Sequence, residues 1–215
     1  MDTPVFDYAA RWQRAAALME QQDVDALLLM KPANLAYFTG DGRPCALALL
    51  TRTLRCVVAV PACDLASIRR TSVATELRSF QSEVEMFHGF RDVLKELDLT
   101  QATIAIEKNF FDAALYEVFV GHILPKAHAV SATPIVSQLR MLKDAAEIAR
   151  IKAAAKVADS GMDAVSRALR PGVREIEIAG EVEFAMRKAG AEGWASVTYV
   201  ASGWRAAMAH GILHP

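Results

Sequence analysis

Five short strand-like segments rich in apolar residues, at 26–30, 46–50, 56–60, 103–107 and 127–130, punctuate the first 130 residues of the chain. Segments of four or five residues dominated by apolar side chains have strand length and are too short for an ordinary buried helix. Between them lie segments with helical spacing. In residues 6–22 it is carried by Phe6, Ala9, Ala10, Trp12, Ala16, Leu18 and Met19; further segments cover 64–70, 84–97 and 112–124, the last stopped by Pro125. Strands alternating with helices imply an α/β domain over residues 1–131, with helices packed on a mixed sheet.

The character of the chain changes over 131–142, where Pro134 and polar residues precede an alanine-rich helix. That stretch separates the first domain from a second over 139–215. Asp144 and Glu147 have capping-box spacing, so Asp144 can accept from first-turn amides while Glu147 reaches back. Beyond them Ile148, Ile151, Ala155, Ala158, Met162, Val165 and Leu169 form one apolar stripe that ends at Pro171-Gly172, so this face is expected to be buried along the whole helix. A second helix over 174–189 carries Ile178, Val182, Ala185 and Met186 and closes on Gly190. Residues 195–201 read as a strand running into Ser202, Gly203 and an apolar tail. Two helices and one strand cannot cover each other's apolar faces, so this half is expected to belong to a larger unit.

Charge narrows the partners. The 24 basic side chains nearly balance the 25 acidic ones, and no long run of one sign occurs, so the electrostatic footprint of a nucleic-acid binder is missing. No stretch approaches the roughly 20 apolar residues that cross a bilayer, and Met1-Asp2-Thr3-Pro4 lacks a basic region followed by an apolar one. A cytoplasmic protein without nucleic-acid or membrane partners is expected. Cys45, Cys56 and Cys63 are an odd number without CxxC spacing, which suits buried thiols in a reducing compartment.

Several chemical motifs can be discounted. His210-Gly211-Ile212-Leu213-His214 has the spacing of an HExxH helix, but Gly211 replaces the glutamate and Pro215 ends the segment. Ser202 precedes Gly203, but Val200 breaks the GxSxG elbow and no acid follows to orient a histidine. Gly40-Asp41-Gly42 lacks the third glycine of a phosphate cradle, and Pro44 interrupts a helix start. His88, His122 and His128 have no ligand-like spacing and read as structural.

Four other segments carry a resemblance. Asn34-Leu35-Ala36-Tyr37-Phe38-Thr39-Gly40 resembles the Asn-x-x-Tyr-Leu-Thr-Gly signature of the creatinase-type N-terminal domain. Leu139-Arg140-Met141-Leu142-Lys143-Asp144, with Glu147 and Ile148, resembles the entry into a pita-bread catalytic domain. Gly172-Val173-Arg174-Glu175 and the helix up to Gly190 resemble that domain's second helix. Val200-Ala201-Ser202-Gly203 followed by Ala209-His210-Gly211 resembles the strand and active-site histidine of Xaa-Pro dipeptidases. Together the four segments identify the chain as a member of the Xaa-Pro peptidase and creatinase family.

The resemblance implies a creatinase-type N-terminal domain of mixed sheet, followed by an incomplete α+β pita-bread domain. It implies, for the complete enzyme, metal-dependent release of the N-terminal residue from Xaa-Pro peptides and a homodimeric subunit arrangement. It also implies two divalent metals (Mn, Co or Zn) held by two aspartates, one histidine and two glutamates. Those ligands follow the histidine that matches His210, whereas the last carboxylate here is Glu192, so this chain is expected to bind no metal and to be inactive alone. His210 is the expected catalytic residue, and Arg43 and Tyr37 are expected substrate contacts. Two alternatives stand beside this: a non-catalytic dimerisation or partner-binding module, and a hydrolase of small C–N compounds like creatinase, which works without metal.

Overall fold

In a computed structural model residues 5–208 are described. The chain divides into two compact units, Phe6–Leu142 and a second made of Lys143–Pro215 with Met1–Val5.

The first unit is built on a six-stranded mixed sheet, in the order β4-β3-β2-β1-β5-β6. The strands are β1 (Ala26–Leu29), β2 (Leu47–Thr51), β3 (Cys56–Pro61), β4 (Glu76–Phe80), β5 (Thr103–Ile106) and β6 (His128–Ser131). The pairs β1–β2 and β2–β3 are antiparallel; β3–β4, β1–β5 and β5–β6 are parallel. Both faces of the central strands are covered, which is why they read as unbroken apolar runs. Leu27, Leu29, Ala48, Leu50 and Val58 face one core with Trp12, Met19, Phe38 and Ile135. The alternate residues Leu28, Leu47, Leu49, Ile104 and Ile106 face the other with Phe90, Leu94 and Phe119. Each leucine, isoleucine, valine, methionine or phenylalanine side chain among them, fully withdrawn from water, contributes about 1.5–3 kcal/mol before entropy is counted.

Helices α1 (Tyr8–Gln21), α2 (Pro32–Thr39), α3 (Leu65–Thr71) and α6 (Thr133–Met141) contribute to the first core. Helices α4 (Glu83–Glu96) and α5 (Ala113–Val118), the latter continued by a π-helical turn at Phe119–Ile123, contribute to the second. There Phe87, Phe90 and Phe111 meet the Phe119 ring at centroid distances of 5.9, 5.3 and 5.4 Å.

In this unit three elements depart from the sequence reading. Helix α2 forms over the signature segment: Pro32 supplies the fixed φ of a first turn, and Gly40 closes the helix at φ +84°. A Cβ at Gly40 would sit 2.8 Å from the Thr71 carbonyl oxygen, so both conformation and space demand glycine. Strand β4 is an edge strand of mixed polarity, Glu-Leu-Arg-Ser-Phe, with no apolar run to announce it. Helix α6 occupies the stretch expected to separate the domains. Pro134 falls in its first turn, where a missing amide breaks no intrahelical bond, and Ile135 and Leu139 are buried in the first core.

The thiols also differ from expectation, since only Cys56 is buried and Cys45 and Cys63 are exposed. Both exposed cysteines lie outside the strands, Cys45 with a left-handed φ of 62°.

The second unit holds α7 (Ala145–Ala168), α8 (Glu175–Lys188) and a 3-10 turn at Gly203–Ala207. The capping box forms: Asp144 accepts from the Glu147 amide at 2.8 Å, and Glu147 accepts from the Asp144 amide at 3.0 Å. Gly161 lets α7 and α8 approach, because a Cβ there would lie 3.0 Å from the Met186 side chain. The strand expected over 195–201 does not form. No strand among the described residues pairs with it, and a lone extended segment has no ladder. The apolar stripe expected on α7 is not its buried face: Ile148, Ile151, Ala155, Ala158, Met162 and Leu169 are exposed and Val165 is half-buried, whereas Ala146, Gly161 and Ala164 are buried.

Candidate functional site

The signature segment is explained by its own contacts. Glu107, at the end of the β5 run, is only 3% exposed, and one carboxylate oxygen accepts from the Met30 and Lys31 amides at 2.6 and 2.7 Å. It thus sits at the start of α2, where free amides and the helix dipole favour an anion. Its other oxygen accepts from the Asn34 side-chain amide, whose carbonyl oxygen accepts from Arg140 Nη1 at 2.5 Å. Asn34 therefore ties a buried acid on one side to the last turn of α6 on the other.

Tyr37 is buried, and its hydroxyl donates to the Leu139 carbonyl at 3.2 Å. Its ring lies 4.2 Å from the buried Arg11 guanidinium, which also stands over Phe6 and Tyr8 and donates to the Tyr37 carbonyl. The neighbouring Trp12 indole donates to the Phe38 carbonyl at 2.7 Å. Cation–π contact and a hydrogen bond together make it possible to bury this guanidinium.

Arg43 is held by its own loop. Its Nε and Nη2 donate to the two oxygens of Asp41 at 2.9 and 2.7 Å, in the bidentate geometry that suits a guanidinium and a carboxylate. Nη1 donates to the Asp64 carbonyl at 3.3 Å and Nη2 to the Ser67 hydroxyl at 3.2 Å. The Arg43 hydrogen bond is the largest influence on Asp41, with further support from Thr71; together they outweigh desolvation and hold its carboxyl down to about 2. Reciprocally, Asp41 raises Arg43 above its usual value.

In the second unit, Glu175 at the first turn of α8 is 7% exposed. One oxygen accepts from the Ser202 amide and hydroxyl at 2.7 and 2.9 Å, and the other accepts from Arg205 Nη1 at 2.5 Å. An open groove in this unit is lined by Val157 of α7, Val182 and Met186 of α8, and Trp194, Thr198 and Tyr199.

His210 lies outside the described residues. Tyr37 and Arg43 both lie in the first unit, one in its core and the other in the loop after α2. His88, His122 and His128 are exposed on that unit's surface. Among the described residues no three His, Cys, Asp or Glu side chains converge as metal ligands do. Among those residues, no helix is long and apolar enough to cross a membrane. Reading the sequence missed Glu107, Arg11 and Glu175. The signals were faint: an acid ending an apolar run, an arginine among aromatic residues, and an acid in a first helical turn.

A six-stranded mixed sheet between helical layers defines an α/β unit, and a capped helix pair makes up most of the described part of the second unit. Residues 11–142 match the family model of the Creatinase/Prolidase N-terminal domain, and residues 149–215 match that of Metallopeptidase family M24. The chain belongs to the creatinase/prolidase family. It is 27% identical over 207 residues to the Xaa-Pro dipeptidase of Pyrococcus furiosus, covering 94% of this chain and 55% of that protein. It is 28% identical over 151 residues to the putative dipeptidase YkvY of Bacillus subtilis, covering 70% and 41% respectively. The crystal structure of an X-Pro aminopeptidase from Thermotoga maritima superposes with a TM-score of 0.80 at 26% identity, over 94% of this chain and 56% of that one. The chain therefore spans about half the length of the curated relatives it matches.

Proposed function

We propose that this chain supplies the N-terminal domain and the first part of the catalytic domain of a metal-dependent hydrolase that releases the N-terminal residue from Xaa-Pro dipeptides or short peptides. The observation that carries this reading is the succession, in one chain, of a Creatinase/Prolidase N-terminal domain and a segment of Metallopeptidase family M24. The names of the Pyrococcus and Thermotoga relatives agree with it. His210 is assigned the role of orienting the substrate or donating an N–H to the oxyanion that develops on the scissile carbonyl. Divalent manganese, cobalt or zinc would supply Lewis-acid activation of the scissile carbonyl when bound in a complete enzyme. Arg43 and Tyr37, whose polar groups face Asp41, Asp64 and Leu139, are assigned to the scaffold. A homodimer and a cytoplasmic setting complete the proposal.

One observation favours a second reading, a partner-binding module. Ile148, Ile151, Met162 and Phe184 of α7 and α8 are 44–66% exposed, which leaves apolar area for another surface to cover. The two readings separate on the coding DNA after Pro215. The first expects an open frame with two aspartates, a histidine and two glutamates, and metal-dependent cleavage of Xaa-Pro dipeptides by the extended protein. An extended protein that carries those residues, folds, and leaves such dipeptides intact under all three metals would sink it.

A further inference from the structure

An acid in the first turn of a helix ordinarily points into water and merely complements the positive end of the dipole. Glu175 does something else. Its carboxylate is turned inward and reaches a segment 27 to 30 residues further along the chain, accepting from the Ser202 amide, the Ser202 hydroxyl and Arg205 Nη1. The Glu175 and Arg205 side chains are 9% and 13% exposed, so this ion pair is largely dry. Breaking such a pair leaves a charge with neither water nor partner, which is far more costly than losing a surface pair.

The held segment has little else of its own. Residues 195–202 form no strand or helix, and the turn at Gly203–Ala207 is a single short 3-10 element. Trp204 is 75% exposed and so does not anchor it by burial. The Tyr199 hydroxyl bridges the Arg205 and Met208 carbonyls at 3.4 and 3.1 Å, closing the segment on itself. Among the contacts described, the polar link to the α8 framework is the Glu175 carboxylate. In sequence His210 follows Arg205 closely, so whatever fixes Ser202 and Arg205 sets where the histidine-bearing stretch departs.

We propose that Glu175 is a positioning residue for the hydrolysis assigned above: by clamping Ser202 and Arg205 it fixes the departure point of the stretch that carries His210. The role rests on the Xaa-Pro peptidase reading for its catalytic consequence, and on geometry alone for the clamp. The two parts can be tested separately.

The clamp is tested by amide hydrogen exchange in the 215-residue protein. In Glu175→Ala, residues 199–208 are expected to exchange about tenfold faster or more, because a charged, buried acceptor is lost. Glu175→Gln, which keeps an acceptor for Ser202 but not the charge for Arg205, should fall between. Unchanged exchange over 199–208 overturns the clamp. Equal acceleration throughout α7 overturns it too, since Glu175 would then serve only the folding of the helix pair.

The consequence is tested in the extended, metal-loaded protein on an Xaa-Pro dipeptide. Glu175→Ala is expected to lower kcat about tenfold with little change in KM, and to add nothing further when His210 is already alanine. Additive losses in the double variant would show that Glu175 does not act through His210. If the unmodified extended protein cleaves no such dipeptide, the functional reading falls, and with it the catalytic role, while the exchange result still decides the clamp.

Discussion

Asp41 shows how one residue can be tied to a loop so firmly that it senses pH. Its carboxyl is held down to about 2, first by hydrogen bonds from Arg43 and then by Thr71. A carboxylate with a depressed folded-state value stabilises fully above its unfolded value of about 4 and loses that contribution as pH falls through the folded one. The urea midpoint of the protein is therefore expected to decline between about pH 4 and 2 more steeply than that of Asp41→Asn, which has no such proton to take up. Parallel acid limbs for the two proteins would refute the assignment. The resemblance pointed to Arg43 as an expected substrate contact. That an aspartate two positions earlier takes the Nε and Nη2 edge of its guanidinium depends on the turn, which no residue pattern specified.

At the scale of elements, the best-specified piece is α7. Its capping box and stop were legible, because each is a local rule acting within a few residues, whereas the face it buries was not: Ala146, Gly161 and Ala164 are buried, and no residue of the expected stripe is. Asp144→Ala is expected to cost about 1 kcal/mol, read as a lowered urea midpoint for the second unit with little change in the first. A loss shared equally by both units would contradict this. Elements α2, β4 and α6 were not legible. The apolar residues of α2 are buried nearly all round, so no amphipathic stripe marks it. Strand β4 is recruited at an edge by β3 rather than by its own composition. Helix α6 follows β6 closely, and its proline reads as a break until its place in the first turn is known. The strand expected over 195–201 failed for the converse reason: strand propensity without a partner strand produces no strand.

Over the whole molecule the two units differ in how much they bury. Phe6–Leu142 has a sheet with two covered faces, whereas the described part of the second unit fully buries only a few side chains, among them Ala146, Ala164, Ile178 and Ala179. Hydrophobic burial is the main source of resistance to opening, so amides of β1, β2 and β5 are expected to outlast those of α7 and α8 in native-state exchange, by orders of magnitude in rate. Similar protection in both units would mean that another surface, such as a second copy of the chain, covers the α7–α8 face in solution. Measuring the exchange at several protein concentrations separates those cases.

The sequence by itself determined the α/β class of the first unit, five of its six strands, the capped α7, α8 and the family. These rest on period, local capping and motif order, all of which are written along the chain. Only the tertiary structure decided that Asn34 bridges Glu107 and Arg140, that Tyr37 is a core residue beside Arg11, and that Glu175 reaches Ser202 and Arg205. Each of these joins residues tens of positions apart. The partner of a buried polar group is chosen by the packing that buries it, and sequence spacing carries no record of that choice.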